Sequence, residues 1–276
     1  MKLGIYRDIP NEEYQTDPAL GSHDIGNVLR SPAHFKYAEE KDSEAYTFGS
    51  AYHVYCLQNT LFDKRFVIKP EGMKFSTKEG KAWKAEIGDK KTILSYDDFG
   101  KLKAMYNALM KCDDAATLLK SDGEAEVSIF WNDPEYGVPC KARLDWLNKS
   151  DRIIADLKSC LDAREHQFET AAYRYGYHIQ AAHYLYGISQ VSRIEHTEFR
   201  FIAQEKDAPY AVQVFRADEG MVQEGLIEMN KALALYAECE KAGTWPAYPM
   251  GVKSLSLPGW VKKKNYNLFL EGDTYD

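Results

Sequence analysis

Two runs of alternating apolar and polar residues and a short third run opening on three apolar residues, separated by turns, lie between residues 124 and 158, and a three-stranded β-meander is the simplest reading of this stretch. In the first run Ala125, Val127, Ile129 and Trp131 share one face, and Glu124, Glu126, Ser128 and Phe130 share the other. The turn Asp133-Pro134-Glu135-Tyr136-Gly137 leads into a second run, where Val138, Cys140, Ala142, Leu144 and Trp146 alternate with Lys141, Arg143 and Asp145. Lys149-Ser150-Asp151 turns the chain again, into a third strand over residues 153–158.

The elements on either side set the fold class. From about 163 to 188 the period becomes helical, and Tyr173, Tyr177, Gln180 and Tyr184 recur on one face. Two more strands, 197–204 and 210–216, flank the turn Lys206-Asp207-Ala208-Pro209, and Asp218 opens an amphipathic helix to about 241. Upstream, residues 1–20 read as an irregular arm. Ser22 is placed to cap a helix to Arg30, and Ser31-Pro32 restarts another. Residues 48–57 read as a helix with a first turn of small residues, which puts His53 one turn from Gly49. Residues 70–90 read as a polar loop and 96–119 as one long helix. The expectation is a single α/β domain: a mainly helical region 1–120, a core 121–245 with a mixed sheet flanked by helices, and an irregular tail 246–276.

Composition excludes little beyond a membrane span or a disordered chain. Hydrophobic residues make up 45% of the 276, yet no apolar run reaches the length of a bilayer crossing. The first residues meet charge and Pro10 too early for a signal-peptide core. The five cysteines are scattered and odd in number, as expected for reduced thiols in a cytoplasm. The net charge of −7 argues against nucleic acid only on average, because the local field along a groove decides binding.

The chemistry concentrates in the meander. Asp156 and Lys158 are two apart on a strand and project from one face, and Asp145 sits near the end of the neighbouring strand. Alone, Asp-x-Lys is usually a solvated face with a weak ion pair. Here Ile153, Ile154, Ala155 and Leu157 flank Asp156, which places it on a core strand. Two adjacent carboxylates repel, and a hard divalent cation such as Mg²⁺ or Mn²⁺ relieves that repulsion. A lysine beside them can hold an attacking water or stabilise charge on a phosphate.

Asp145, ten intervening residues and then Asp156-Leu157-Lys158 resemble the D…(D/E)-x-K signature of the PD-(D/E)XK nuclease superfamily, which has a restriction-endonuclease-like core. The helical histidine in Gly49-Ser50-Ala51-Tyr52-His53 and the Q-x-x-x-Y element Gln180-Ala181-Ala182-His183-Tyr184 are similar to its RecB-like branch. Leu29-Arg30-Ser31-Pro32-Ala33-His34-Phe35 and the stretch from Phe201 to Val212 resemble RecE-type (exonuclease VIII) exonuclease domains and their phage relatives.

The resemblance implies metal ligation by Asp145, Asp156 and the Leu157 carbonyl. It gives Lys158 a catalytic role, brings His53 to the metal from the helical region, and sets Gln180 and Tyr184 against the site or the DNA. Imidazole suits Mn²⁺ better than Mg²⁺, so a supporting role for His53 stays open. Glu126 is a candidate for a second metal or for supporting the ligands, with a solvated role equally open. The cysteine spacing lacks the iron–sulfur cluster of some relatives.

The implied activity is Mg²⁺-dependent 5′→3′ degradation of linear double-stranded DNA, with Mn²⁺ substituting. It would leave 3′ single strands for a RecT-type annealing protein, and the implied assembly is a ring-shaped homotetramer in a bacterial or phage-infected cytoplasm. An endonuclease, a 3′→5′ enzyme or a silent DNA-binding module are the alternatives. His23, His34, His166, His178, His183 and His196 have no metal-ligand spacing. Lys90-Lys91 is too short to mark a phosphate site by itself, and Lys262-Lys263-Lys264 reads as a solvated run that can reach phosphate.

Overall fold

In the computed structural model, which describes residues 1–7, 9–38 and 44–257, the meander is the centre of a larger sheet. The chain opens with β1 (Gly4–Tyr6) and α1 (Asn11–Thr16), then α2 (Ser22–Arg30), α3 (Pro32–Lys36), α4 (Glu44–Leu57) and α5 (Asn59–Arg65). A small unit follows: β2 (Phe66–Ile68), α6 (Lys78–Ile87) and β3 (Thr92–Leu94). Next come α7 (Tyr96–Leu109), α8 (Asp113–Leu119), β4 (Gly123–Asn132), β5 (Pro139–Asn148) and β6 (Ile153–Cys160). The described part ends with α9 (Glu165–Arg174), α10 (Tyr177–Ser192), β7 (Glu198–Glu205), β8 (Val212–Arg216) and α11 (Glu219–Ala242). Lys262, Lys263 and Lys264 and the rest of the tail from 258 lie outside the described residues.

The main sheet has the order β1-β4-β5-β6-β7-β8, and β2 pairs with β3 in a separate parallel ribbon. The neighbours in the main sheet are antiparallel except β6 and β7, which run parallel and are joined by the crossover through α9 and α10. This is the mixed sheet flanked by helices that the patterning implies. Alternation along the strands sorts the core into two faces. Ile154, Phe199 and Phe201 pack with α2, α9, α10 and α11. Ile153, Ala155, Leu157 and Ile202 pack with Tyr52 of α4 and with α7 and α8.

Local chemistry corrects several expectations. The arm of residues 1–20 contains β1, which pairs with β4 through Ile5 and Ile129, and α1, whose Tyr14 packs on Phe130. A three-residue strand carries no readable alternation. The cap of α2 is Gly21, one residue before Ser22, with its N–H donating to the Asp24 carboxylate over 2.8 Å. Ser31 does cap α3, its hydroxyl accepting the His34 N–H. Residues 70–90 contain α6, started by the Thr77 hydroxyl accepting the Gly80 N–H.

The expected helix 96–119 breaks between Leu109 and Asp113, so the acidic pair Asp113-Asp114 occupies the first turn of α8. Negative charge is stabilising there and is not in a helix interior. The expected helix 163–188 breaks at Gly176, which adopts φ +70°, a left-handed conformation that glycine reaches without strain. The break turns Tyr173 away from Gln180 and Tyr184; Tyr173 is exposed and stacks on His178. Among the described residues no helix is long and apolar enough to cross a membrane.

Candidate metal centre

The site forms where β5 and β6 separate. Their ladder runs through Asn148–Ile153, Leu147–Ile154 and Trp146–Ala155 and stops before the next pair, Asp145 and Asp156. The Asp145 carboxylate takes the place of the missing ladder bond, accepting the Leu157 N–H over 2.8 Å. In a strand the N–H and C=O of one residue point to the same edge, so the Leu157 carbonyl faces this opening too.

On the other side of β5, Glu126 interrupts the ladder between the pairs Ala125–Trp146 and Val127–Leu144. It has φ +55°, a left-handed backbone that costs a non-glycine residue roughly 1–3 kcal/mol. Such strain persists only where the surroundings impose it. Here it accompanies a gathering of donors: His53, Glu126 and Asp145 each bring a ligand atom within 4.8 Å of the others.

His53 reaches the sheet from α4, which is pinned one residue earlier. Tyr52 is fully buried and its hydroxyl donates to Gln204. The Gln204 amide in turn donates to the carbonyls of Met105 and Tyr210. With α4 held in this way, His53 Nδ1 stands 3.3 Å from Asp145 Oδ2. Asp156 sits on the α10 side and is only 1% exposed. Its Oδ1 accepts the Gln180 amide at 2.5 Å, and Lys158 Nζ is 2.6 Å from its Oδ2. The Lys158 ammonium also lies over the Tyr177 ring, 4.7 Å from its centroid.

Electrostatics follow from crowding acids in a buried place. Burial, with Asp145 opposite, pushes Glu126 up to about 7. Burial also raises Asp156, and Asp145 adds to the rise while Lys158 opposes it. Asp145 is lowered: burial acts upward, but His53, Lys158 and the Leu157 N–H outweigh it. Burial pulls His53 down, yet the Asp145 charge and hydrogen bond, helped by Glu126 and Asp156, carry it to about 9. Lys158 is raised, because Asp156 and Asp145 overcome the effect of burial. The group is thus short of positive charge, which a divalent cation among carboxylate and imidazole donors supplies.

Of the eight candidates from the sequence, His53, Glu126, Asp145, Asp156, Lys158, Gln180 and Tyr184 line one open cavity of about 1100 Å³, whereas Leu157 meets the site only through its backbone, its N–H bonded to Asp145. Two details differ from the expected arrangement. Glu126 belongs to the tightest donor group, whereas Asp156 is engaged by Lys158 and Gln180. The remaining six histidines have partners elsewhere: His23 with Asn27, His34 with Ser31, His166 with Glu169, His178 with Glu228, His183 with the Lys141 carbonyl and His196 with the Ile194 carbonyl.

The cavity also takes Lys64, Arg65, Lys90, Lys91 and Arg143. Sequence reasoning passed over Lys64 and Arg65 and set Lys90-Lys91 aside, because two adjacent cations carry no signal until something brings them together. Arg143 is tethered, donating to Ser128 Oγ, Asn11 Oδ1 and the Ile9 carbonyl, and it lies over Tyr14.

Residues 29–255 match the family described as a PDDEXK-like domain of unknown function (DUF3799). Among solved structures the chain is similar to a candidate exonuclease from Eubacterium rectale, at 14% identity and a TM-score of 0.57, covering 89% of this chain and 97% of that one. It is also similar to a phage-related exonuclease from Haemophilus somnus, at 9% identity and a TM-score of 0.37, covering 84% of this chain and 99% of that one. The first likeness is one of fold. No curated protein matches the sequence.

Proposed function

The chain belongs to the PDDEXK-like family, whose fold is that of divalent-metal-dependent nucleases, and we propose that it is a DNA exonuclease. The observation that carries this reading is one opening in the sheet that holds Asp145, Asp156 and Lys158 together with His53 and Glu126. Clustered acids beside a buried ammonium are costly to fold unless they serve a charge that arrives later. The finer reading follows the resemblance to RecE-type domains. The substrate is linear double-stranded DNA, degraded 5′→3′ to leave 3′ single strands for a RecT-type annealing protein. Mg²⁺ is the working ion with Mn²⁺ substituting, and the assembly is a ring-shaped homotetramer.

The donor set fits a divalent cation: the carboxylates of Asp145, Glu126 and Asp156, the Leu157 carbonyl and the His53 imidazole would hold it. When bound, such an ion supplies Lewis acidity, lowering the pKa of water and neutralising phosphate charge. The chain's own groups do the rest. Lys158, fixed between Asp156 and the Tyr177 ring, presents an ammonium to a phosphate oxygen as charge develops in the transition state. The Gln180 amide is a positioning group that fixes the rotation of the Asp156 carboxylate. Hydrolysis forms one bond, from the water oxygen to phosphorus, and breaks one phosphorus–oxygen bond of the backbone. The proton lost by water is returned to the departing alkoxide.

End-labelled linear duplex incubated with Mg²⁺ tests this reading. Release of the 5′ label ahead of the 3′ label, closed circles left intact, and no activity in EDTA are expected. Cuts in closed circular DNA would make the enzyme an endonuclease, early 3′ release would reverse the polarity, and turnover after thorough metal stripping would defeat the mechanism.

A further inference from the structure

The parallel register of the small ribbon does something the sequence hides. Phe66 pairs with Thr92, so the residues just before each strand, Arg65 and Lys91, begin side by side, with Lys64 and Lys90 one step further back. Two basic dipeptides far apart in sequence thereby become one basic patch, and all four residues line the cavity that holds the carboxylates. Lys64, Lys90 and Lys91 are exposed. Among the described residues none of the four is in ion-pair contact with a carboxylate. Lys91 Nζ instead donates to the Asp63 carbonyl at 2.6 Å, which holds its ammonium at the rim. Asp89 lines the same stretch but is outnumbered. In a chain of net charge −7, four juxtaposed cations repel one another and concentrate a positive field at the mouth of an acidic site.

We propose that Lys64, Arg65, Lys90 and Lys91 form a rail for the sugar–phosphate backbone of one nucleic-acid strand on its way to the carboxylates. The identity of the ligand rests on the nuclease reading above; the location rests on the ribbon register. The lining contributed by α1, including Asn11, Tyr14 and Gln15, carries no charge of its own, and the one cation beside it, Arg143, already donates to Asn11, Ile9 and Ser128, so that side offers a second strand a weaker grip than the four rail residues. A polyanion is the ligand class that four clustered cations select, because each phosphate contact releases condensed counterions.

The rail has a signature in salt. Binding of a single-stranded oligonucleotide and of a linear duplex is measured in Ca²⁺ between 50 and 300 mM salt, for the wild type and for Lys90→Gln/Lys91→Gln. Lys120→Gln/Lys241→Gln, two exposed lysines that do not line the cavity, gives the same change in net charge. For the single strand, the slope of log K against log salt should fall by about 0.7 per rail lysine removed, and affinity at 100 mM salt by roughly tenfold. The control should keep the wild-type slope. Arg65→Gln should lower the slope in the same way, and unchanged unfolding midpoints would show that the variants are folded. Wild-type slopes in both rail variants would overturn the rail while leaving the nuclease reading intact. A rail-dependent slope in a chain that never cleaves would overturn the nuclease reading and keep the rail; no salt-dependent binding by the wild type would overturn both.

Discussion

Glu126 is an acid whose charge the fold tolerates poorly, because burial and the opposing Asp145 both favour its neutral form. Simple alternation puts it in line with Glu124 and Ser128, and nothing in the sequence announces a left-handed backbone in mid-strand. That conformation comes from the tertiary surroundings; the resemblance offered Glu126 beside the metal with a solvated role equally open, and only the fold groups its carboxylate with His53 and Asp145. Asp145, Asp156 and Lys158 were legible because residue spacing on paired strands fixes which side chains meet. The pH dependence of Glu126 has a definite sign. Its folded pKa of about 7 lies above the ordinary carboxylate value, so the folded state holds the extra proton. Stability from this group is full below the unfolded pKa and is lost as pH rises through about 7. In EDTA at pH 8, Glu126→Gln should therefore be more stable than wild type by about 2–3 kcal/mol, with little difference at pH 4. Urea unfolding at both values tests this; equal stability at pH 8 would mean that Glu126 is relieved by a group other than a metal. Lys158→Ala should lower single-turnover cleavage on the order of 10²–10³-fold. DNA affinity in Ca²⁺ should stay nearly constant, because the proposed role has the ammonium act mainly in the transition state. An unchanged rate would return Lys158 to a structural ion pair with Asp156.

At the scale of elements, the strands that carry the site were readable and the helices that aim at it were readable only in part. β4 and β5 announce themselves by period two, β6 as a short apolar-rich run after a turn, and α11 by its Asp218 cap. The breaks at Gly176 and before Asp113 were written in local chemistry, a glycine and an acidic pair, but a continuing apolar period masked both. The break at Gly176 matters, because it lets α10 turn Gln180 toward Asp156 while Tyr173 leaves. Helix α10 is then held by α11 at close range. A Cβ added at Gly225 would lie 2.1 Å from the His178 carbonyl oxygen and 2.8 Å from the Ala182 Cβ. Gly225→Ala gains about 1 kcal/mol of helix propensity but forces two backbones apart, at about 3 kcal/mol. A net loss of roughly 2 kcal/mol in chemical denaturation is expected, together with slower cleavage as Gln180 shifts. A variant as stable as wild type would show that α10 and α11 can separate freely.

Taken whole, the molecule draws its donors from distant parts of the chain. His53 comes from α4 in the helical region, whereas Glu126 and Asp145 come from neighbouring strands of the sheet. Helix α4 is joined to the sheet by the Tyr52–Gln204 hydrogen bond, by apolar contacts and by the His53–Asp145 pair, and a metal shared by His53 and Asp145 would replace that last tie with a firmer one. A ligand that binds only the folded state stabilises it by mass action, by about 2.7 kcal/mol at one hundred times its dissociation constant. Mn²⁺ should therefore raise the unfolding midpoint of the wild type and protect the backbone amides of α4 from hydrogen exchange. His53→Ala separates the two effects. The two strand carboxylates still bind the ion weakly, so the midpoint should still rise at high Mn²⁺, but the added protection of α4 should vanish. Glu126→Gln should weaken both effects together, because it removes a donor without cutting the link through His53. Equal protection of α4 in His53→Ala and wild type would mean that the ion sits on the sheet alone. The position of α4 would then depend on the Tyr52–Gln204 contact whether or not metal is bound.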